Sequence, residues 1–381
     1  MTEPGETDVR QLPTHSPLVT APGTLGPLAF PPATLDAIIV PASRPAESLE
    51  TAADLAKTIG CHLVILCSFR TKLADVGELF DAKCLPRATA VPVPPGYKHP
   101  LLEFATTRWA RDEDGKRVGA ARNSDLSSKR NIGLLLARML GWNRIFFMDD
   151  DIRKIDAAAI IDTVSLLGTA GPLGTRYRTA AMMVHDFPDN SVVCHARRAI
   201  NEYQDVFVSG SVLAVDTKAP FGFFPDVYNE DWLFFYWNAA AKQLAGSSSS
   251  ARQLPYDPFA DPRRAASQEF GDVIAEGLYT LLHSGLSTES ADSQYWTAFL
   301  DDRNRILEEI KRRSYKARTE IRQKMIKAVL AAKEQLHEIK PDMCMTYTET
   351  WRHDLQQWAR RLETLPTPGS IEKALRELNL R

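Results

Sequence analysis

Two short runs, HLVILCS (62–68) and RIFFM (144–148), are apolar at nearly every position and show no polar alternation. A strand with one wet face alternates apolar and polar side chains. A strand that does not alternate is covered on both faces, as in parallel sheets wrapped by helices. The neighbouring residues agree. LDAIIVPASRP opens with a β-branched run that ends at Pro41. The segment AESLETAADLAKTIG then carries Leu49, Ala52, Ala53, Ala56 and Ile59 at helical spacing and stops at Gly60. Strand, helix and strand within about 35 residues form a βαβ unit, which implies a parallel pair. RNIGLLLARMLGW reads as the next helix, leading into RIFFM. The expected class is α/β: a Rossmann-like, mainly parallel sheet flanked by helices.

Residues 1–33, rich in Pro, Gly, Thr and charge, read as a loose leader. Between 181 and 216, AAMMVHDF, SVVCHA and VFVSGSVLAV read as further short β pieces. The Ser- and Pro-rich stretch 244–262 reads as a mobile surface loop. From about residue 293 the chain is charged and helical up to Pro341. A further helix follows, with Trp351, Leu355, Trp358 and Leu362 on one face. This divides the chain into a leader (1–33), a main domain (34–290, with halves 34–151 and 152–290) and a helical C-terminal extension (291–381). The extension could pack on the chain itself or on a second copy, as a homo-oligomer.

Composition narrows the function classes. A formal net charge of −2 argues against a broad nucleic-acid or anionic-membrane footprint. The five cysteines are scattered without a CxxC pair, which fits a reducing cytoplasm and not a structural zinc site. The N-terminus lacks the basic-then-apolar order of a secretory signal. The most apolar long window contains Asp162, Thr163, Ser165 and Pro172, too polar for a transmembrane segment. The expectation is a soluble, cytoplasmic protein.

Asp149, Asp150 and Asp151 follow RIFFM directly. They therefore sit past the carboxyl end of a parallel strand, where open α/β sheets bind ligands. Three adjacent carboxylates repel one another and need solvent or a cation. No GxxxxGK[ST] is present, so a P-loop NTPase is disfavoured. Arg153 after Ile152 does not suit a haloacid-dehalogenase-type phosphatase. A diphosphate held through Mg²⁺ or Mn²⁺ remains, since such ions take one or two carboxylates and keep water. A solvated helix-capping cluster is the competing reading.

Taken together, IIVPASRP, KRNIGLLLARMLGWNRIFFMDDD and NEDW resemble the GT-A glycosyltransferases, close to the family 2 type. The family's elements occur in order at Arg130–Asn131 (a basic pair preceding a helix), Asp149–Asp151 (the DxD) and Glu230–Asp231, over roughly residues 34–285. The helix between the first two is about one turn longer than usual in the family. The second strand ends in Ser68, where many members carry an acid near the base. The resemblance implies a metal-dependent transfer of a sugar from a nucleotide-diphosphate sugar to an acceptor hydroxyl, with inversion. The sugar, the base and the acceptor stay open.

Residue by residue, the resemblance implies that Asp149 and Asp151 hold Mn²⁺ or Mg²⁺ and the nucleotide, with His283 as a third metal ligand and Asp150 supporting the loop. It implies that Asp231, beside Glu230, is the general base. Pro41, Ser43, Arg44 and Ser68 would surround base and ribose, and Lys129, Arg130 and Asn131 the diphosphate. Each has a plainer reading. Glu230 and Asp231 suit the first turn of a helix capped by Asn229, His283 suits a helix C-terminus, and Arg44 suits a surface cation. Glu269, Asp272 and Glu276, with Gly271 marking a tight approach, are expected near the acceptor. Trp232, Tyr236 and Trp237 would stack on a sugar or belong to the core.

Two other classes stay open. A nucleotidyltransferase of the same fold would show a GxGTR-like segment, which PASRPAES lacks. A non-catalytic nucleotide-sugar-binding scaffold would use the helices from residue 293. Every motif lies before residue 285, so removal of 342–381 is expected to leave nucleotide binding intact.

Overall fold

The computed structural model describes residues 15–19, 34–171, 174–185, 191–204 and 207–381. Most of the expected leader, 1–14 and 20–33, lies outside the described residues.

The chain begins as a βαβ unit: β1 (Ala37–Ala42), α1 (Glu50–Ile59) and β2 (His62–Cys67). Then come α2 (Leu73–Lys83), β3 (Ala88–Pro92) and the short helices α3 (Ala105–Arg111) and α4 (Glu113–Arg117). α5 (Leu126–Met139) leads into β4 (Arg144–Met148), β5 (Ile152–Arg153) and α6 (Ala157–Ser165). β6 (Thr179–His185), α7 (Val192–Ala199), β7 (Val212–Asp216), α8 (Glu230–Ala240) and β8 (Leu244–Gln253) complete the sheet. Five helices close the chain: α9 (Pro262–His283), α10 (Ser293–Arg312), α11 (Thr319–Glu338), α12 (Pro341–Glu363) and α13 (Ile371–Glu377).

The eight strands form one mixed sheet in the order β3-β2-β1-β4-β7-β6-β8-β5. β3, β2, β1 and β4 are mutually parallel, and β6 is parallel to β8. β7 runs antiparallel to both its neighbours, and β5 antiparallel to β8. The α/β class with flanking helices is thus borne out. The absence of polar alternation has the expected cause. Ile38, Val40, Ile65 and Phe146 pack towards α1 and α6, while Ile39, Val64, Leu66 and Phe147 pack towards α5.

Four local expectations are corrected. Pro41 does not end β1, which continues to Ala42. β4 pairs with β1 only through Ala37–Ile39, so Pro41 lies where one edge of the strand is already free. SVVCHA is helical, because Ser191 caps α7 by accepting from the Cys194 amide at 3.3 Å. The Ser-rich run from Leu244 is not a loop but β8, paired on both edges with β6 and β5. Its small residues suit that place: Ala245 and Ala251 are buried, and the Ser247 and Thr163 hydroxyls share a hydrogen bond of 2.8 Å. Finally, part of the leader is core. His15 and Leu18 are buried.

The C-terminal helices pack on the chain itself. Trp296, Trp351 and Trp358 are fully buried in the same core that α5 covers. Asp354 on α12 accepts from the amides of Ala105 and Thr106 at 2.9 and 2.8 Å and so caps α3. The Trp358 indole donates to the Phe221 carbonyl at 3.1 Å. No described helix is long and apolar enough to cross a membrane.

Candidate functional site

The carboxyl ends of β1, β2 and β4 lie at one edge of the sheet, and the antiparallel β7 brings its start to the same edge, where the Asp149 amide donates to the Ser211 carbonyl at 3.0 Å. A cavity of about 460 Å³ opens there. Its walls include Pro41, Ser43, Arg44, Lys129 and all three aspartates. The aspartates divide their tasks. Asp150 is buried and accepts from the amides of Ser43 and Arg44 at 2.7 and 2.9 Å, tying the end of β1 to the end of β4. This is the supporting role expected of it. Asp151 accepts from Arg44 Nη2 at 2.9 Å and from Gln253 Nε2 at 3.1 Å. Asp149 takes both its bonds from Arg130 Nη2, each at 3.0 Å.

Burial pushes the Asp149 carboxyl up to about 7, against the pull of Arg130 and helped by the neighbouring Asp151 and Asp150. Burial raises Asp151 as well, with Arg44 and Gln253 opposing it. These are oxygen donors, held by Arg130, Arg44 and Gln253. They fit a hydrated hard cation shared with a phosphate ligand, which needs only one or two carboxylates. They do not form an all-protein cage: among the described residues, no three His, Cys, Asp or Glu side chains converge on one point.

Arg130 does not precede its helix, as the resemblance suggested. It lies inside α5, fully buried, and its Nη1 reaches Glu230 Oε1 at 2.9 Å. Arg122 pairs with the other Glu230 oxygen. Glu230 therefore bridges two arginines, tying the start of α8 to α5. Asp231 is arranged differently. Its Oδ2 accepts from the Gly210 amide and its Oδ1 from the Trp232 amide, both at 2.9 Å. Burial first, then the Glu230 charge, raises its carboxyl above the usual range. Gly210 is required here, because a Cβ on it would lie 2.6 Å from Asp231 Cβ and 3.1 Å from Arg130 Nη1. α8 starts at Asn229, which adopts a left-handed φ of 61° and donates to Asp272 at 2.9 Å.

Other expectations separate from this site. Asn131 exchanges two amide bonds, each 2.8 Å, with the Phe224 backbone, so it braces the loop before α8, and it does not line the aspartate cavity. Lys129 lines the cavity, but its ammonium is held by the Ala42 carbonyl at 2.7 Å and by Asp125 at 3.0 Å. Ser68 is buried and turned back towards the Ala42 carbonyl. Its successors, Phe69 and Arg70, line the cavity instead. Phe69 is 68% exposed and held at a φ of 49°.

His283 is not brought to the aspartates. It bonds to His15 at 3.0 Å, and His15 bonds onward to Glu276 at 2.9 Å. Glu269 and Asp272 are occupied by the buried Arg303, at 2.8–2.9 Å. Gly271 does mark a tight approach, since a Cβ there would meet the Tyr228 carbonyl oxygen at 2.3 Å. Tyr236 is core, Trp232 packs edge-on to His15, and Trp237 stacks on Trp351.

Sequence reasoning missed Phe69, Arg70, Arg122 and Gln253. For Phe69 a signal existed: an aromatic placed just past a buried strand, at the ligand edge. Arg122 and Gln253 reach the site only through pairings distant in the chain.

No family model matches the chain, and no curated protein matches it.

Proposed function

We propose that this protein is a GT-A-type glycosyltransferase that moves a sugar from a nucleotide-diphosphate sugar to an acceptor hydroxyl, with inversion. One observation carries the reading. A continuous chain of ion pairs, Asp149–Arg130–Glu230–Arg122, links the strand-end carboxylates to the acidic pair at the start of α8. The proposed metal ligand Asp149 is thereby tied to Glu230, the neighbour in sequence of the proposed base, Asp231. The parallel β3-β2-β1-β4 order, with ligand groups at its carboxyl edge, supports the same fold family.

Asp149 and Asp151 would hold Mg²⁺ or Mn²⁺, which supplies Lewis-acid neutralisation of the diphosphate leaving group. Arg70, exposed on the cavity wall, adds a cation for the same phosphates. Phe69 offers a flat face to the base. Asp231 takes the proton from the attacking hydroxyl. Its two amide bonds fix its orientation, and its raised carboxyl moves it towards the pH at which a base is most effective.

The test is a melting-temperature panel of nucleotide diphosphates and nucleotide sugars, with Mn²⁺ or with EDTA. A ligand that binds only the folded state raises the melting point. A shift is expected only with metal, and Asp151→Ala should weaken binding at least tenfold. Equal shifts in EDTA, or none with any nucleotide, would overturn the reading.

A further inference from the structure

The formal net charge of −2 conceals an uneven distribution. From Lys311 to Lys327, seventeen residues carry eight lysines and arginines and a single acid, Glu320. The segment covers the end of α10, the turn after it and the first half of α11. Half of its cations are accounted for within the fold. Arg312 and Arg313 pair with Glu309, Arg313 also with Glu202, and Lys324 with Asp257. Arg322 donates to the carbonyls of Tyr315 and Ala317, both at 2.9 Å, and so fastens the turn. The other four, Lys311, Lys316, Arg318 and Lys327, are exposed. None of them has a carboxylate within ion-pair distance among the described residues.

Helix stability explains only part of this corner. Lys311 stands in the last turn of α10, where the dipole favours a cation. Arg318 stands at the N-cap of α11, a helix of 20 residues, where the dipole disfavours one. Like charges gathered together repel one another and weaken the compact state unless an outside anion meets them. Two apolar side chains are exposed in the same region. Tyr315, 64% exposed, lies in the turn, one residue before Lys316. Leu330, 36% exposed, follows Lys327 by three residues and so shares its face of α11. Cations around an exposed tyrosine and leucine suit a charged bilayer surface. There the amines reach the phosphates, the phenol ring sits at headgroup level, and a leucine gains by entry. A nucleic acid would meet the same charges but would leave Leu330 without a use.

We propose that the α10–α11 corner is a docking surface for an anionic lipid bilayer. Lys311, Lys316, Arg318 and Lys327 face the headgroups, and Tyr315 and Leu330 enter the headgroup layer. The surface stands apart from the aspartate cavity and does not depend on the transferase reading.

The test is co-sedimentation of the full chain with phosphatidylcholine vesicles, with and without phosphatidylglycerol as about a third of the lipid. Binding is expected only with phosphatidylglycerol. It should fade as salt rises from about 0.1 M to about 1 M, which shortens the screening length from about 10 Å to about 3 Å. The triple variant Lys316→Glu, Arg318→Glu, Lys327→Glu should bind at least about a hundredfold more weakly. The three side chains are exposed, so the variant folds, and an unchanged melting point verifies it. If the melting point drops, the neutral variant Lys316→Gln, Arg318→Gln, Lys327→Gln takes its place, with a loss of at least about tenfold expected. Equal binding to both kinds of vesicle, binding to neither, or undiminished binding by the variant would overturn the proposal. If the chain holds a single-stranded oligonucleotide but not the anionic vesicles, the corner is a nucleic-acid surface and the proposal falls.

Discussion

Arg130 grips Asp149 through one nitrogen and Glu230 through the other, with Arg130 and Glu230 buried and Asp149 at the cavity wall. The Glu230 carboxylate is shared in turn with Arg122. A buried guanidinium of this kind is costly to desolvate and is stable only because two carboxylates answer it. Removing it leaves Asp149 without its ion-pair partner and Glu230 with Arg122 alone. Arg130→Met should therefore destabilise the fold by about 3–5 kcal/mol. Arg130→Lys should fare little better, because a single ammonium cannot present the same planar fork. Denaturant melts of both variants would check this, and a loss below 1 kcal/mol would show the network to be solvated.

Asp231 separates catalysis from structure. Asp231→Asn keeps size and can still accept one amide bond, but cannot take a proton. Turnover should fall by about 10²–10⁴-fold, the usual contribution of a positioned base. Nucleotide affinity should hardly move, because the residues proposed to hold the diphosphate, Asp149, Asp151 and Arg70, follow β4 and β2. A variant with normal turnover and a lowered melting point would mark Asp231 as a helix-start acid only.

Phe69 carries two effects of opposite sign. A φ of 49° is strained for any residue with a Cβ, by about 1–2 kcal/mol. Glycine adopts it freely. The ring is mostly exposed, so its removal forfeits little burial. Phe69→Gly should thus raise stability by up to about 1 kcal/mol. If the ring stacks on a base, a contact of about 1–3 kcal/mol, nucleotide affinity should drop by about tenfold. Calorimetry and a thermal melt on one preparation read both. Unchanged affinity would remove Phe69 from the binding site.

The last forty residues are the part of the chain most changed by seeing the fold. They carry no ligand motif, and from sequence they read as dispensable. Yet Asp354 caps α3, Trp351 and Trp358 fill the core, and Tyr97 and His99 bond the carbonyls of Leu378 and Glu377. Deleting 342–381 should abolish cooperative folding, and nucleotide binding with it. Trp358→Ala alone should cost about 3–5 kcal/mol. A sharp thermal transition in the deleted protein would refute this.

What could be read in the sequence follows from range. β1, α1, β2, α5 and β4 each declare themselves within a few residues, by apolar runs and helical spacing, and the aspartates inherit their place from β4. β8 could not be read that way. Serine and glycine are turn signals locally, and only pairing with β6 and β5 makes LAGSSSSARQ a strand. Glu230 and His283 failed for the same reason. Their chemistry is set by Arg122, Arg130 and His15, partners between about 100 and 270 positions away.

His283 makes the last prediction, one of pH. Burial first, then the neighbouring His15 and Lys242, lowers its pKa to about 4, while Glu276 beyond His15 pulls weakly the other way. In the unfolded chain a histidine titrates near 6.5. Between these values the unfolded state binds more protons than the folded one, so stability rises with pH through that window. Its contribution is complete above about pH 6.5 and is lost progressively as the pH falls towards 4. His283→Gln keeps a hydrogen-bonding group for His15 but cannot titrate. The melting temperature of the native protein should therefore fall more steeply from pH 7 to pH 4.5 than that of the variant. Other acids, Asp149 among them, bend both curves alike, so the difference between the curves isolates His283. Parallel curves would show that His283 is protonated as easily in the fold as outside it, and that its contact with His15 is open to water.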